Sequence, residues 1–182
     1  AVWRAGGVAV GTMPMLRAHE LAVILNKAQI SHAIVDTQRA GELEQAQRDA
    51  PVLKHILTTD DIGEHMASAP SEYVPIATAA DDPALIAFTS GTTGTPKGCV
   101  HLHRDIAAMA ETFSRHVLQP KSTDVFIGTP PLAFTFGLGA GVIFPANVGA
   151  ATAICPKPGF DVLADTIEQH RATTLFTSPT GY

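Results

Sequence analysis

The chain is poor in charge: 16% of its 182 residues are Asp, Glu, Lys or Arg, against roughly 25% in an average globular protein. Acids outnumber Lys and Arg by 17 to 12, for a net charge of −5. A surface so short of cations does not suit nucleic-acid phosphates or anionic headgroups, so neither nucleic acid nor membrane is an expected partner. Cysteine is scarcer still. Two thiols, Cys99 and Cys155, cannot build a disulfide framework, and the first residues lack the order of a secretory signal, which points to a reducing cytosol. What the chain does have is apolar residue, 46% of the total, a folding composition with enough length for one core. At about 150 residues per domain, two full domains do not fit, so any two-domain machine lies partly outside this chain.

The missing charge is concentrated. Residues 125–156 carry none, which raises a transmembrane helix as the first reading. Pro130, Pro131, Pro145 and Pro156 divide that run into apolar pieces of 13 and 10 residues, whereas a span needs about 20. Short strands and a glycine-rich helix buried in the middle of a parallel sheet are expected instead.

Along the chain, strand and helix patterns alternate without hairpin signals. Residues 8–12 read as a short strand, followed by a helix with Leu21, Ile24, Leu25 and Ala28 at helical spacing. Strands are expected at 32–36 and 53–57, with a polar helix over 42–49 between them. No Lys or Arg occurs between Lys54 and Lys97, and the six acids there (Asp60, Asp61, Glu64, Glu72, Asp81, Asp82) mark a solvated connector over 60–82. A continuous apolar strand, 84–89, leads into the loop discussed next, and 98–103 follows as another extended piece. A helix over 105–118 places Ile106, Met109, Ala110, Phe113 and Val117 on one face and ends before Pro120. Further strands are expected near 125–127, 150–154 and 173–177, and helices near 138–144 and 161–170. The alternation predicts an α/β fold, a layered sandwich with a largely parallel sheet.

One stretch carries chemistry. Thr89, Ser90, Gly91, Thr92, Thr93, Gly94, Thr95, Pro96, Lys97 and Gly98 put four Thr, one Ser, three Gly and one Lys directly after a buried strand. Glycines let backbone N–H groups turn toward an anion, hydroxyls donate further hydrogen bonds, and Lys97 supplies a point charge. An ordinary turn has the same composition. A Walker A loop is excluded, because Pro96 stands where its second glycine is required and Gly98 where its Ser or Thr follows the lysine. The other glycine cluster, Gly137, Gly139 and Gly141, has Val142 where a dinucleotide fingerprint needs its third glycine, so close helix packing explains it better.

These ten consecutive positions resemble the signature loop of the adenylate-forming superfamily, which includes acyl- and aryl-CoA synthetases, luciferases and peptide-synthetase adenylation domains. Residues 3–14, from Trp3, Arg4, Ala5, Gly6 and Gly7 to Pro14, resemble its early Lys-Ala-Gly, strand, Pro motif. Pro130, Pro131, Leu132, Ala133, Phe134, Thr135, Phe136 and Gly137 resemble its aromatic substrate wall. Residues 13–20 and the Phe134-to-Gly137 segment are most similar to benzoate- and 2-aminobenzoate-CoA ligases.

The resemblance implies an AMP-forming acid–thiol ligase using ATP, Mg²⁺ and coenzyme A. A carboxylic acid attacks the α-phosphate to give an acyl-adenylate and pyrophosphate, and the CoA thiol then displaces AMP. It further implies that Thr89 to Gly98 hold the β and γ phosphates, with Ser90, Thr92, Thr93 and Thr95 as hydroxyl donors and Lys97 as a screening cation. Lys97 and Thr92 are the expected catalytic residues. Phe134, Phe136 and Gly137 line the acyl pocket; many relatives have His at the place of Phe134, so no proton-transfer role is carried over to it. No residue of the chain is an expected metal ligand. The chain is expected to be part of a large N-terminal AMP-binding domain: strand–helix units over 1–59, the acidic connector over 60–82, and phosphate loop and pocket wall over 83–182. The family's Thr-Glu pair, ribose-binding Asp, hinge and C-terminal catalytic Lys lie beyond it, so these residues alone are not expected to turn over.

Four alternatives stand beside this reading, the plainest a generic α/β interaction domain in which the Ser/Thr/Gly loop is an ordinary turn. Cys99, His101 and His103 alternate and, on one strand, would share a face suited to Zn²⁺, although no fourth ligand is near. A nucleotide-binding module of the same fold without catalysis would keep the loop. A ligase for a non-aromatic acid would keep both loop and fold.

Overall fold

The computed structural model describes residues 1–89, 94–157 and 159–181, except the side chain at 180. It comprises two compact units: Ala1–Thr78 with Phe88–Val100, and Ala79–Ala87 with His101–Tyr182.

In the first unit, helix α1 (Ala18–Ala28) turns Leu21, Ala22, Ile24 and Leu25 inward. Its first turn is fixed by carboxylates: the Arg17 N–H donates to Glu20 at 3.0 Å, and the Arg17 guanidinium and Ala18 N–H both donate to Glu42 at 2.9 Å. The Arg17 side-chain bond, then the Ala18 N–H, hold the Glu42 carboxyl below the ordinary range. Glu42 lies on α2 (Ala40–Asp49), whose Leu43 and Ala46 meet Leu21 and Leu25 in one core. Strands β1 (His32–Val35) and β2 (His55–Thr58) pair in parallel, His32 opposite His55. Ala33, Val35 and Ile56 pack on the helix core. On the other face, Ile34 is 65% exposed and the His32 and His55 rings stack at 4.6 Å. Residues 8–12, expected as a strand, form only a single bridge at Ala9. Val8, Ala9 and Val10 supply strand propensity, but a ladder needs a partner along its length.

The acidic stretch opens with a helix, α3 (Thr59–Ser68), for which Thr58 and Asp61 form a reciprocal cap: the Asp61 N–H donates to the Thr58 hydroxyl and the Thr58 hydroxyl to the Asp61 carboxylate. Residues 69–82 then run exposed, without helix or strand. β3 (Pro83–Thr89) and β4 (Lys97–Leu102) pair with each other.

The second unit holds a parallel three-stranded sheet in the order β6–β5–β7, with β5 (Val125–Gly128) between β6 (Ala151–Thr152) and β7 (Thr174–Phe176). Phe126 and Ile127 of the central strand are buried on opposite faces, the first against Ile143 and Phe144, the second against Ala153 and Leu163. Helix α4 (His103–Met109) continues as a π-helix over Ala110–Leu118. This corrects the expected helical face. Ile106, Met109 and Ala110 point inward as anticipated, and Phe113, 44% exposed, sets its ring against buried Phe144 at 5.6 Å; but a π turn holds more residues than an α turn, so Ser114 and Leu118 also turn inward while Val117 is 69% exposed. Residues 135–148 are likewise α5 (Thr135–Leu138), a π turn (Gly139–Ile143) and α6 (Phe144–Val148). Pro145 does not divide this run, because it falls in the first turn of α6, where its missing N–H costs least. Helix α7 (Phe160–His170) connects β6 to β7. Among the described residues no helix is long and apolar enough to cross a membrane.

Candidate functional site

The glycine–threonine loop belongs to the first unit. β3 carries the chain out of the core, from Ala84 and Leu85, which are buried, to Thr89, which is exposed. Ser90, Gly91, Thr92 and Thr93 lie outside the described residues, so the phosphate roles expected of them have no geometry here. Gly94 takes a left-handed backbone, φ +80°, with nothing within 4 Å of where a Cβ would stand. Glycine is thus required there by conformation and not by crowding. Thr95, Lys97 and Gly98 are exposed and Pro96 half-buried. Lys97 opens β4, so its backbone is held by the strand while its side chain is exposed to solvent. One side chain that sequence reasoning missed reaches this loop: the Lys27 ammonium, from the last turn of α1, donates to the Pro96 carbonyl at 2.8 Å. A lone lysine at a helix C-terminus reads only as a partner for the helix dipole, and no local signal ties it to a residue 69 positions away.

The aromatic wall belongs to the second unit. It leaves the carboxyl end of β5, the end at which parallel α/β sheets bind ligands. There the Thr129 N–H donates to the Phe176 carbonyl at 3.0 Å, and the Thr129 and Thr177 hydroxyls meet at 2.8 Å, joining the ends of β5 and β7. Pro130 and Pro131 turn the chain back. The Phe134 N–H donates to the Pro131 carbonyl at 3.0 Å, and the Phe134 carbonyl accepts from Leu138 at 2.8 Å, so Phe134 starts α5. Gly137 is buried directly on the Pro130 and Pro131 carbonyls, where any Cβ would collide with backbone. This is close approach, as its cluster suggested, and it also sets the wall's position. Phe134 and Phe136 are 47% and 49% exposed. The Phe136 ring stands edge-on to Phe176 at 6.1 Å, and Phe176 stacks on buried Phe126 at 6.2 Å, so Phe136 is braced from behind. Among the described residues Phe134 makes no ring contact.

Cys99 and His101 lie on β4, but His103 opens α4, so the three do not share one strand face. Among the described residues, no three His, Cys, Asp or Glu gather as a metal-binding group. Cys99 and Cys155 are free thiols.

Parallel strands joined through helices define an α/β protein. The family model of AMP-binding enzymes matches residues 1–182, and the chain belongs to that family. It is 32% identical to the 4-hydroxybenzoate–CoA/benzoate–CoA ligase of Rhodopseudomonas palustris, over 98% of this chain and 34% of that protein. It is 27% identical to the benzoate–CoA ligase of Thauera aromatica, over 98% of this chain and 35% of that one. Among solved structures, an anthranilate CoA ligase in complex with anthranoyl-AMP superposes with a TM-score of 0.90 at 27% identity, covering all of this chain and 36% of that one. A benzoate CoA ligase from Burkholderia xenovorans superposes with a TM-score of 0.86 at 25% identity, covering 97% and 36%. The α/β fold expected from the sequence is therefore that of the N-terminal region of adenylate-forming enzymes. The chain spans about a third of the length of these relatives.

Proposed function

We propose that this chain is the phosphate-loop and pocket-wall portion of an ATP-dependent aromatic-acid CoA ligase, of benzoate or 2-aminobenzoate type. The observation that carries the reading is the ten-residue loop between β3 and β4, with Lys97 exposed at its exit. In the first step an oxygen of the substrate carboxylate bonds to the α-phosphorus of ATP and the bond to the departing pyrophosphate breaks. Negative charge grows on that leaving group, and donors already aimed at it stabilise the transition state more than the ground state. Thr89, Ser90, Gly91, Thr92, Thr93, Gly94, Thr95, Pro96, Lys97 and Gly98 would hold the β and γ phosphates, with Lys97 and Thr92 acting directly on the developing charge. In the second step the CoA sulfur attacks the acyl carbon, AMP leaves and the thiol proton is released. Mg²⁺ would enter with ATP, screening the charge of its phosphates.

The aromatic preference is supported by the wall. Phe134 and Phe136 offer half-exposed rings, Phe136 is braced, and Gly137 keeps the segment tight on the proline pair. A planar ring against such a surface gains from stacking and edge contacts that an aliphatic chain lacks. The benzoate and anthranilate ligases among the relatives point the same way. The division into strand–helix units over 1–59, connector over 60–82 and loop with wall over 83–182 is part of this proposal, as is a catalytic C-terminal domain outside the 182 residues. Free thiols accord with a cytosolic setting.

The test is ATP–pyrophosphate exchange by the full-length protein, driven by benzoate or 2-aminobenzoate. Lys97→Ala should slow it by about 10- to 1,000-fold, the scale for removing one transition-state donor. An unchanged rate contradicts the role of Lys97. Exchange with no carboxylate, in a folded sample that binds ATP, overturns the ligase reading, and exchange with aliphatic acids only overturns the aromatic one.

A further inference from the structure

The bond from Lys27 to Pro96 joins a rigid post to an open loop. The post is well founded. Leu21, Ala22, Ile24 and Leu25 of α1 are buried, the Asn26 side chain donates to the Asp49 carbonyl at 2.8 Å, and the Ile30 N–H closes on the Leu25 carbonyl at 3.0 Å. Gln29 takes a left-handed backbone, φ 54°, and its side chain donates to the Asn26 carbonyl at 2.6 Å, ending the helix directly after the turn that carries Lys27. The loop end is less constrained: Gly94 has open space around it, and Thr95 and Lys97 are exposed. Among the described residues, no other side-chain hydrogen bond reaches residues 94–98. Lys27 and the loop lie in the same compact unit.

We infer that Lys27 is a positioning residue for the loop: it fixes the Pro96–Lys97 peptide and adds a second positive charge for a polyphosphate. The inference rests on the phosphate-loop reading above. Two physical effects support it. The Pro96 carbonyl and the Lys97 N–H belong to one peptide unit, so an ammonium bonded to the oxygen polarises that N–H and makes it a stronger donor. The Lys27 ammonium also brings a cation from α1 to the loop that carries Lys97, and the added positive charge favours a polyanion there. Both effects favour ATP and neither touches the carboxylic acid.

The experiment compares Lys27→Met, Lys27→Arg and Lys97→Met in the full-length protein by ATP–pyrophosphate exchange, with KM measured separately for ATP and for benzoate. Lys27→Met should raise the KM for ATP by roughly 3- to 10-fold, the scale of one exposed charge-assisted hydrogen bond. The KM for benzoate should stay the same, and Lys27→Arg, which keeps charge and donor, should restore most of the loss. Thermal melting verifies that each variant is folded. An unchanged KM for ATP in Lys27→Met, with a clear loss in Lys97→Met, overturns the inference and leaves the phosphate loop standing. No change in either variant overturns both. Equal losses for ATP and benzoate, without rescue by arginine, reduce Lys27 to a structural residue and likewise overturn the inference.

Discussion

Ser114 is fully buried, and its hydroxyl has no hydrogen-bond partner among the described residues. Helical Ser and Thr can bond back to the carbonyl four residues earlier, as Thr112 of the same π-helix does to Ala108 and Thr166 of α7 to Val162, both at 2.6 Å, but Ser114 makes no such bond. Ser114 lies in the π-helical turn, where its own carbonyl accepts from Gln119, five residues on, at 2.7 Å. Ser114→Ala should therefore stabilise the protein, by about 1 kcal/mol, since an unmet buried polar group costs about 1–3 kcal/mol and alanine is the better helix former. Urea unfolding measures it. A lower midpoint for the variant would mean that the hydroxyl has a partner and that the π turn depends on it.

Asp124 shows how one residue fastens an element. It precedes β5, accepts from the Lys121 N–H at 2.6 Å and from the Thr173 hydroxyl at 2.9 Å, and Thr173 precedes β7. The Thr173 N–H donates in turn to the Val125 carbonyl at 2.9 Å, so the amino ends of β5 and β7 are clamped opposite the end that carries the aromatic wall. The Lys121 N–H first, and then Thr173, hold the Asp124 carboxyl below its ordinary range. A carboxyl whose folded-state pKa is depressed contributes stability above its unfolded-state value and loses it as the pH falls through the folded one. Asp124→Asn should consequently melt lower than the parent at pH 7, and the gap should close as the pH drops below the ordinary carboxylate range. A gap constant from neutral to acid pH would assign the effect to packing.

Elements of this kind differ in how far their residues announce them. α1 and α7 follow from apolar residues at helical spacing, and β3 from a continuous apolar run, because burial repeats with the period of the element. Residues 8–12 have the same local character as β3 but lack a ladder, which propensity cannot provide. The π turns have no signature, since hydrogen-bond register, not composition, distinguishes them, and the inward turn of Ser114 with the exposure of Val117 follows from that. Loop and wall were legible as short runs of neighbouring residues. Lys27, distant in sequence from Pro96, was not.

On the scale of the whole molecule, parallel strands and apolar side chains in solvent sit uneasily together. Parallel ladders are normally covered on both faces, yet Ile34 on the outer face of β1 is 65% exposed and Ile154, just beyond β6, 74% exposed. A net charge of −5 opposes association at neutral pH, and that opposition vanishes near the pI of about 5.9. The 182-residue chain, prepared with reductant so that exposed Cys99 does not crosslink, should accordingly self-associate. Sedimentation velocity should show a mass that rises with concentration above 19.1 kDa, most steeply near pH 5.9. Ile34→Lys combined with Ile154→Lys places a cation on each apolar site, so it should suppress association even at a pH where the parent's charge is balanced. Two added lysines also move the pI upward, and for that reason the double variant must be compared with a control carrying two lysines at neutral positions of α3, for example at Ala67 and Ser68, where both side chains are already in solvent. If the control suppresses association as well as the double variant does, net charge governs it and the exposed isoleucines do not. A parent that stays at 19.1 kDa at every concentration near pH 5.9 shows that apolar faces of this size are tolerated without a partner.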